Sequence, residues 1–206
     1  MLTSVWHSTA QRIQALAQTG LTYATDHYDA ERYRELSAIA ASMMAGPDPE
    51  RIALAEGAFR AERGYATPKV DVRAAVLQEG GLLFVRERED GCWTLPGGWA
   101  DVGQSAAECV EREVREESGY LVKARTLLAC WDRNKHPHPP FAFHVYKLVF
   151  HCELVGGSPA ASSETSEVGF FAEDEIPELS RGRILPEQIR FVFQALRNPG
   201  TPTAFD

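Results

Sequence analysis

The sequence predicts an α/β or α+β sandwich, not a doubly wound sheet, with a small all-α module in front of it. Three observations carry that expectation. Up to about residue 66 the apolar residues recur at helical spacing; after Thr67-Pro68 they alternate as in strands; further on, strands and helices mix without a regular βαβ rhythm. We therefore divide the chain into a helical module, residues 1–66, and a larger domain, residues 67–206. A length of 206 residues gives room for one ordinary domain plus a module, since domains run to about 100–200 residues. With 44% apolar and 24% charged residues the chain can bury a core, which excludes global disorder. A net charge of -8 repels phosphate backbones, so nucleic acid is not the expected partner.

In the module, Ile13, Leu16 and Ala17 follow Trp6 at helical spacing, with a stop expected near Gly20. The segment from Asp29 to Ala45 places Tyr33, Leu36, Ile39, Ala40, Met43 and Met44 on one face. Asp29 is its expected N-cap and Gly46-Pro47 its end. A third helix follows Pro49 and runs to Gly57 or Gly64. Three short helices bury little surface by themselves, so the module is expected to pack on the larger domain or on a second subunit.

In the larger domain, Val70, Val72, Ala74 and Val76 alternate with Asp71, Arg73 and Ala75 as in a strand. Gly80-Gly81 then turns the chain into LLFVRERE, and the two strands read as a hairpin. Further strands are expected at residues 126–131 and 143–155, with KHPHPP as an exposed loop between them. A last helix starts near Pro186 and carries Ile189, Val192, Phe193 and Leu196 on one face. No stretch approaches the roughly 18–20 consecutive apolar residues of a membrane span. The start, MLTSVWHSTAQRIQ, has no basic region followed by an apolar run, so the chain reads as cytoplasmic. Cys92, Cys109, Cys130 and Cys152 form no CxxC pair and are expected to be buried thiols.

The chemistry concentrates in GGWADVGQSAAECVEREVREESGY, residues 97–120. Ser105 with Glu108 makes a capping box and Gly119 a C-terminal stop, so a helix runs between them. Ala107, Val110 and Val114 form its core stripe, while Glu113, Glu116 and Glu117 share another face. Like charges at that spacing destabilise a helix, which calls for a compensating cation, although an acidic face can also be merely solvated. Hard carboxylate oxygens select Mg²⁺ or Mn²⁺ over zinc. The glycine-rich loop leading into the helix lets backbone approach a phosphate or a metal.

The segment resembles the signature of the Nudix hydrolases. Gly98, Arg112, Glu113, Val114, Glu116, Glu117 and Gly119 match it in register, Tyr120 stands at its final bulky position, and Gln104 replaces its first glutamate. With the helical stretch before it, the chain is similar to Nudix enzymes that carry a helical N-terminal domain, a subgroup linked to CDP-choline and ADP-ribose pyrophosphatase activity. The resemblance implies an α/β/α sandwich with a mixed sheet, and a module that supports a homodimer. It also implies Glu113, Glu116 and Glu117 as ligands of Mg²⁺ or Mn²⁺, helped by the Gly97 carbonyl, with Arg112 as the signature arginine. A glutamate outside the helix often joins the site in this family; Glu164 and Glu167 are the candidates, Glu167 being preferred. Where the family pairs its first glutamate with Arg112, Glu108 is expected to pair with it here. The implied reaction is hydrolysis of a nucleoside diphosphate linked to a moiety X, CDP-choline first, giving CMP and phosphocholine. ADP-ribose, an oxidised nucleoside triphosphate and an RNA end are the alternatives within enzymes; a nucleotide sensor without hydrolysis is the alternative outside them.

Among substrate contacts, Trp93, Trp99 and Tyr146 suit stacking on a base. Lys135, His136 and His138 suit phosphate or X. A zinc site on His136 and His138 has no nearby cysteine to complete it.

Overall fold

The computed structural model describes residues 2–206, which fall into two compact units: residues 2–68 with Pro140–His144, and Lys69–Pro139 with Val145–Asp206.

The first unit contains α1 (Leu2–Tyr23), α2 (His27–Ala45) and α3 (Pro49–Ala61). Helix α1 does not stop at Gly20. A Cβ there would lie 2.3 Å from the Tyr33 ring, so this glycine lets α1 and α2 approach closely and is not a terminator. Helix α2 begins before Asp29, because the Asp26 carboxylate accepts the Asp29 amide at 3.0 Å and is the N-cap; Gly46, at φ 71°, ends it. Helix α3 is capped by Asp48 and runs through Gly57. The unit's core is made of small residues, Ala40 and Ala41 against Phe59. Leu36 and Ile39, on the apolar face read from the sequence, are 38% and 44% exposed, since the close packing runs through alanine. Pro140, the last residue of the expected exposed loop, and the four residues after it belong to this unit, and the expected strand starts at Val145 and not at 143. The Phe141 carbonyl accepts from Gln11 Nε2 at 2.7 Å and His7 Nε2 at 2.6 Å, and Phe143 packs against the alanine core.

The second unit contains β1 (Lys69–Ala75), β2 (Leu77–Gln78), β3 (Gly81–Glu87), β4 (Trp93–Thr94), α4 (Ala106–Ser118), β5 (Tyr120–Asp132), β6 (Val145–Gly157), β7 (Thr165–Phe171), α5 (Pro186–Arg197) and β8 (Ala204–Phe205). One sheet has the order β1-β6-β5-β8 and is mixed: β1 runs parallel to β6, and β6 antiparallel to β5. In the other, β3 pairs antiparallel with β2, β4 and β7. The expected hairpin is thus only its tip, Leu77 and Gln78 against Leu82 and Gly81, turning through Glu79 and Gly80 at positive φ. The main body of β1 instead finds a parallel partner more than seventy residues away, Lys69–Ala75 against Val145–His151.

Helix α4 buries Cys109, Val110 and Val114 against Val72, Ala74, Val76 and Leu83, while α5 buries Ile189, Val192 and Phe193 against Leu82, Phe84, Ala129 and Val149. Strand alternation sends these two sets to opposite faces, so the sheets lie between two helical layers, an α/β/α sandwich. The four cysteines are free; Cys109 and Cys152 are buried, whereas Cys92 and Cys130 are only partly so. Among the described residues no helix is long and apolar enough to cross a membrane.

Candidate active site

Helix α4 is built from local signals. Ser105 Oγ accepts the Glu108 amide at 3.2 Å, Glu108 Oε2 accepts the Ser105 amide at 2.8 Å, and Gly119 leaves the helix at φ 75°. Its core stripe differs from the expected one by one residue: Cys109 is fully buried, whereas Ala107 is partly exposed. The loop before it runs along β1, with the Gly98 carbonyl accepting the Val72 amide at 2.8 Å and the Pro96 carbonyl the Ala74 amide at 2.9 Å. Two glycines permit this approach. At Gly97, φ 143°, a Cβ would sit 2.0 Å from the Val72 carbonyl oxygen; at Gly98 it would press on the Glu113 carboxylate at 3.0 Å.

The three signature glutamates lie against this loop and its arginine. Glu117 is 5% exposed, and its Oε2 accepts the Gly97 amide at 2.8 Å. Burial pushes its pKa up to about 8, against the pull of Arg73 and the Gly97 amide. Burial likewise raises half-buried Glu113, which Arg112 draws down. Arg112 donates from Nε to Gln104 Oε1 at 3.1 Å. Its terminal nitrogens lie 2.8 Å from Asp101, 2.8 Å from Glu116 and 3.0 Å from Glu113. The expected Glu108 partner is not among them, because the capping box holds that carboxylate at the helix start. Among the described residues no three acidic, histidine or cysteine side chains converge closely enough to chelate an ion as they stand. The glutamates are turned instead to Arg112 and Gly97. As a donor set they nevertheless fit a hard divalent cation: oxygen ligands, partly desolvated, beside backbone that glycine keeps accessible.

Behind the loop lies a buried charge group that the sequence reading missed. Asp71 and Lys147 face each other in the β1–β6 register and are ion-paired. Arg73 donates to Asp71 Oδ1 at 2.8 Å and to the Leu95 carbonyl at 3.1 Å. All three are at most 5% exposed. Burial pushes the Asp71 carboxyl up, but Arg73 and Lys147 outweigh it and hold it below the usual carboxylate range; burial pushes Lys147 down to about 8. Arg73 also acts on Glu117, Glu113 and Glu87, so it links this group to the signature face. The available signal was the polar side of VDVRAAV, which looks like an ordinary solvent face until β6 is known to lie beside it.

The remaining candidates separate. Trp99 and Tyr146 are brought to the start of β1, Trp99 bridging Asp71 on one side and Tyr146 in register with Val70 on the other; they are 47% and 40% exposed. Trp93 packs edge-on against Phe171 in the core, at 4.8 Å between centroids. Lys135 is exposed, and His136 is engaged by Asp206 at 3.0 Å and by the Trp131 ring. His138 Nδ1 donates to the Arg181 carbonyl at 2.8 Å, and burial pushes its pKa down to about 4. Glu167 lies in β7, not in the loop before it. It pairs with Arg86 at 2.6 Å on the strand side of Phe171, which packs in the α5 core. Glu164 acts electrostatically on buried Glu87, which in turn acts on Glu117.

A family model described as the NUDIX domain matches residues 67–192, and one described as a UDP-X-like, N-terminal oligomerisation domain matches residues 4–55. The chain is 44% identical over 201 residues to a putative ADP-ribose pyrophosphatase of Bacillus subtilis, covering 98% of this chain and 97% of that protein. Among solved structures, a UDP-X diphosphatase is similar at 33% identity and a TM-score of 0.65, over 99% of both chains. An ADP-ribose pyrophosphatase from Streptococcus suis is similar at 42% identity and a TM-score of 0.63, over 68% of this chain and all of that one.

Proposed function

Since the chain belongs to the Nudix hydrolases and is a pyrophosphohydrolase of that family, we propose that it cleaves a nucleoside diphosphate linked to X, using Mg²⁺ or Mn²⁺ held by Glu113, Glu116, Glu117 and the Gly97 carbonyl. The observation that carries this reading is the placing of those three glutamates on one side of α4, Glu117 on the Gly97 amide and Glu113 and Glu116 on Arg112, against a loop whose glycines let it lie between β1 and α4. A divalent cation bound there polarises phosphoryl oxygens and lowers the pKa of water. The chain's own residues do the rest. Arg73, behind Glu117, offsets the repulsion among the acids. Arg112 ties α4 to the loop through Gln104 and Asp101. Trp99 and Tyr146 offer partly exposed rings for a base. Lys135 is exposed and is the cation we assign to phosphate or X, and we leave His136 as a weaker contact because Asp206 already engages it. Glu164 replaces Glu167 as the carboxylate supplied from outside the helix.

ADP-ribose leads as the substrate, because the relative that matches nearly the whole chain is a putative ADP-ribose pyrophosphatase. A pyrimidine substrate such as CDP-choline is the second reading, favoured by the full-length similarity to a UDP-X diphosphatase. Incubation with Mg²⁺ or Mn²⁺ and ADP-ribose, CDP-choline, CDP-ethanolamine or 8-oxo-dGTP in ¹⁸O-labelled water, with products identified by mass spectrometry, tests the proposal. A nucleoside monophosphate and a phosphorylated X are expected. Nucleotide binding without any cleavage would favour a sensor instead.

For the helical unit we propose a homodimer. Leu16, Leu36, Ile39 and Leu54 are exposed on a unit that matches an oligomerisation domain. Light scattering that finds a monomer at micromolar concentration would overturn this.

A further inference from the structure

Arg112 is held by four side chains, and the proposed function needs two of them elsewhere. Its guanidinium reaches Glu116 at 2.8 Å and Glu113 at 3.0 Å, the carboxylates assigned to the cation; the other two partners are Gln104 at 3.1 Å and Asp101 at 2.8 Å. A guanidinium and a divalent cation therefore compete for the same oxygens. The cation wins more readily if the arginine can stay satisfied after those oxygens turn away, and a planar fork with five N–H donors needs acceptors in fixed places to do so. Gln104 supplies an acceptor without charge. Asp101 supplies both, and hydrogen bonds between ions are the stronger kind.

Both residues are fixed by one buried thiol. The Asp101 amide donates to Cys109 Sγ at 3.3 Å, and that thiol reaches Gln104 Oε1 at 3.4 Å, so Cys109 on α4 sets the loop that carries the two acceptors. Asp101 thus meets the guanidinium from the loop side, while Glu113 and Glu116 meet it from the helix.

We propose that Asp101 is a positioning residue that keeps Arg112 off the metal-binding glutamates, carrying at residue 101 the negative charge that the Nudix signature places at residue 104. The proposal rests on the metal reading of Glu113 and Glu116. Asp101 itself touches neither cation nor substrate in this scheme; it acts through Arg112.

Calorimetric titration of the full chain with Mn²⁺ tests it without relying on turnover. Asp101→Asn should weaken Mn²⁺ about tenfold, the scale on which outer partners of metal ligands act. In assays the loss should fall on the Mn²⁺ concentration for half-maximal rate more than on kcat. Asp101→Glu should bind like the wild type, and adding Gln104→Glu to Asp101→Asn should restore affinity. A wild-type affinity in Asp101→Asn overturns the proposal. So does a double variant no better than the single one, or an Asp101→Glu as weak as Asp101→Asn, since either would mean that loop shape and not charge is at work. A wild-type chain that takes up no Mn²⁺ overturns the metal reading together with this proposal, whereas unaltered binding in Asp101→Asn overturns this proposal alone.

Discussion

Helix α4 and the β1–β6 pair both place several charges in one small region, and they do so in opposite ways. On α4 the acids come from one short segment. Arg112, from the same helix, reaches two of them, and the group is open enough to be rearranged. Across β1 and β6, Asp71 and Arg73 meet a lysine 76 residues away, inside the protein, with little freedom to turn. The first is an arrangement suited to exchanging partners, the second to holding a loop still. A reactive face that must release Arg112 and accept a cation gains from a rigid charged floor beneath it.

That contrast predicts that Asp71→Ala has the largest effect of any single change considered, and mainly on stability. It strands Lys147 and Arg73 as buried like charges, and breaking such a group costs about 3–5 kcal/mol. Urea denaturation measures it directly. A loss under about 1 kcal/mol, the range of an exposed pair, would show that this group is not the rigid element.

Glu116→Gln should do the reverse, leaving the unfolding midpoint nearly unchanged while removing a proposed metal ligand. Outer partners of metal ligands cost about 10–100-fold, so loss of a ligand should lower kcat/KM by at least about 100-fold. Wild-type turnover in this variant would overturn the metal assignment and leave α4 as an ordinary acidic helix.

The same comparison explains what was legible in the sequence. The capping box, Gly119, the spacing of Glu113, Glu116 and Glu117, and the face of α5 all depend on neighbours within one or two turns, and the structure has them where local rules place them. Features that depend on distant chain were misread. The polar side of β1 became a buried charge group because β6 lies beside it; Gly20 proved a packing glycine because Tyr33 crosses there. Glu167 lies in a strand where the local pattern read a loop. Arg112 was misread for another reason. Glu108 had two local uses, and the capping box took it.

A smaller effect should appear in the stability of the metal-free chain as pH changes. Glu117 has a folded pKa of about 8, raised from an ordinary 4.5. A raised carboxyl favours the fold while it is protonated, so its contribution is complete below 4.5 and is lost as pH rises through 8. Burial lowers the pKa of His138 and His151 from 6.5, which acts in the opposite sense, but only below that value, and lowers Lys147 from 10.5 to about 8, which acts in the opposite sense from near 8 upward. Between pH 6.5 and 8, in a chelator, the melting temperature should therefore fall, and Glu117→Gln should flatten that slope. An equal slope in wild type and variant would mean that Glu117 ionises normally, and that the rigid floor with Arg73 already neutralises it.

The smallest effect is expected where the sequence departs most visibly from the Nudix signature. Gln104→Glu alone restores the family residue, yet it should change kcat by no more than a few fold. Arg112 already has a carboxylate from the same loop, Asp101 at 2.8 Å, and Gln104 already accepts from its Nε. A second negative charge there gains one ion pair with a cation whose charge is shared among Asp101, Glu113 and Glu116. It also adds repulsion toward those three acids, so the two terms largely cancel. Side-by-side kcat measurements at saturating Mn²⁺ decide the point. A rise of several orders of magnitude would mean that the native chain is a weakened or repurposed enzyme, and that Asp101 does not carry the missing charge.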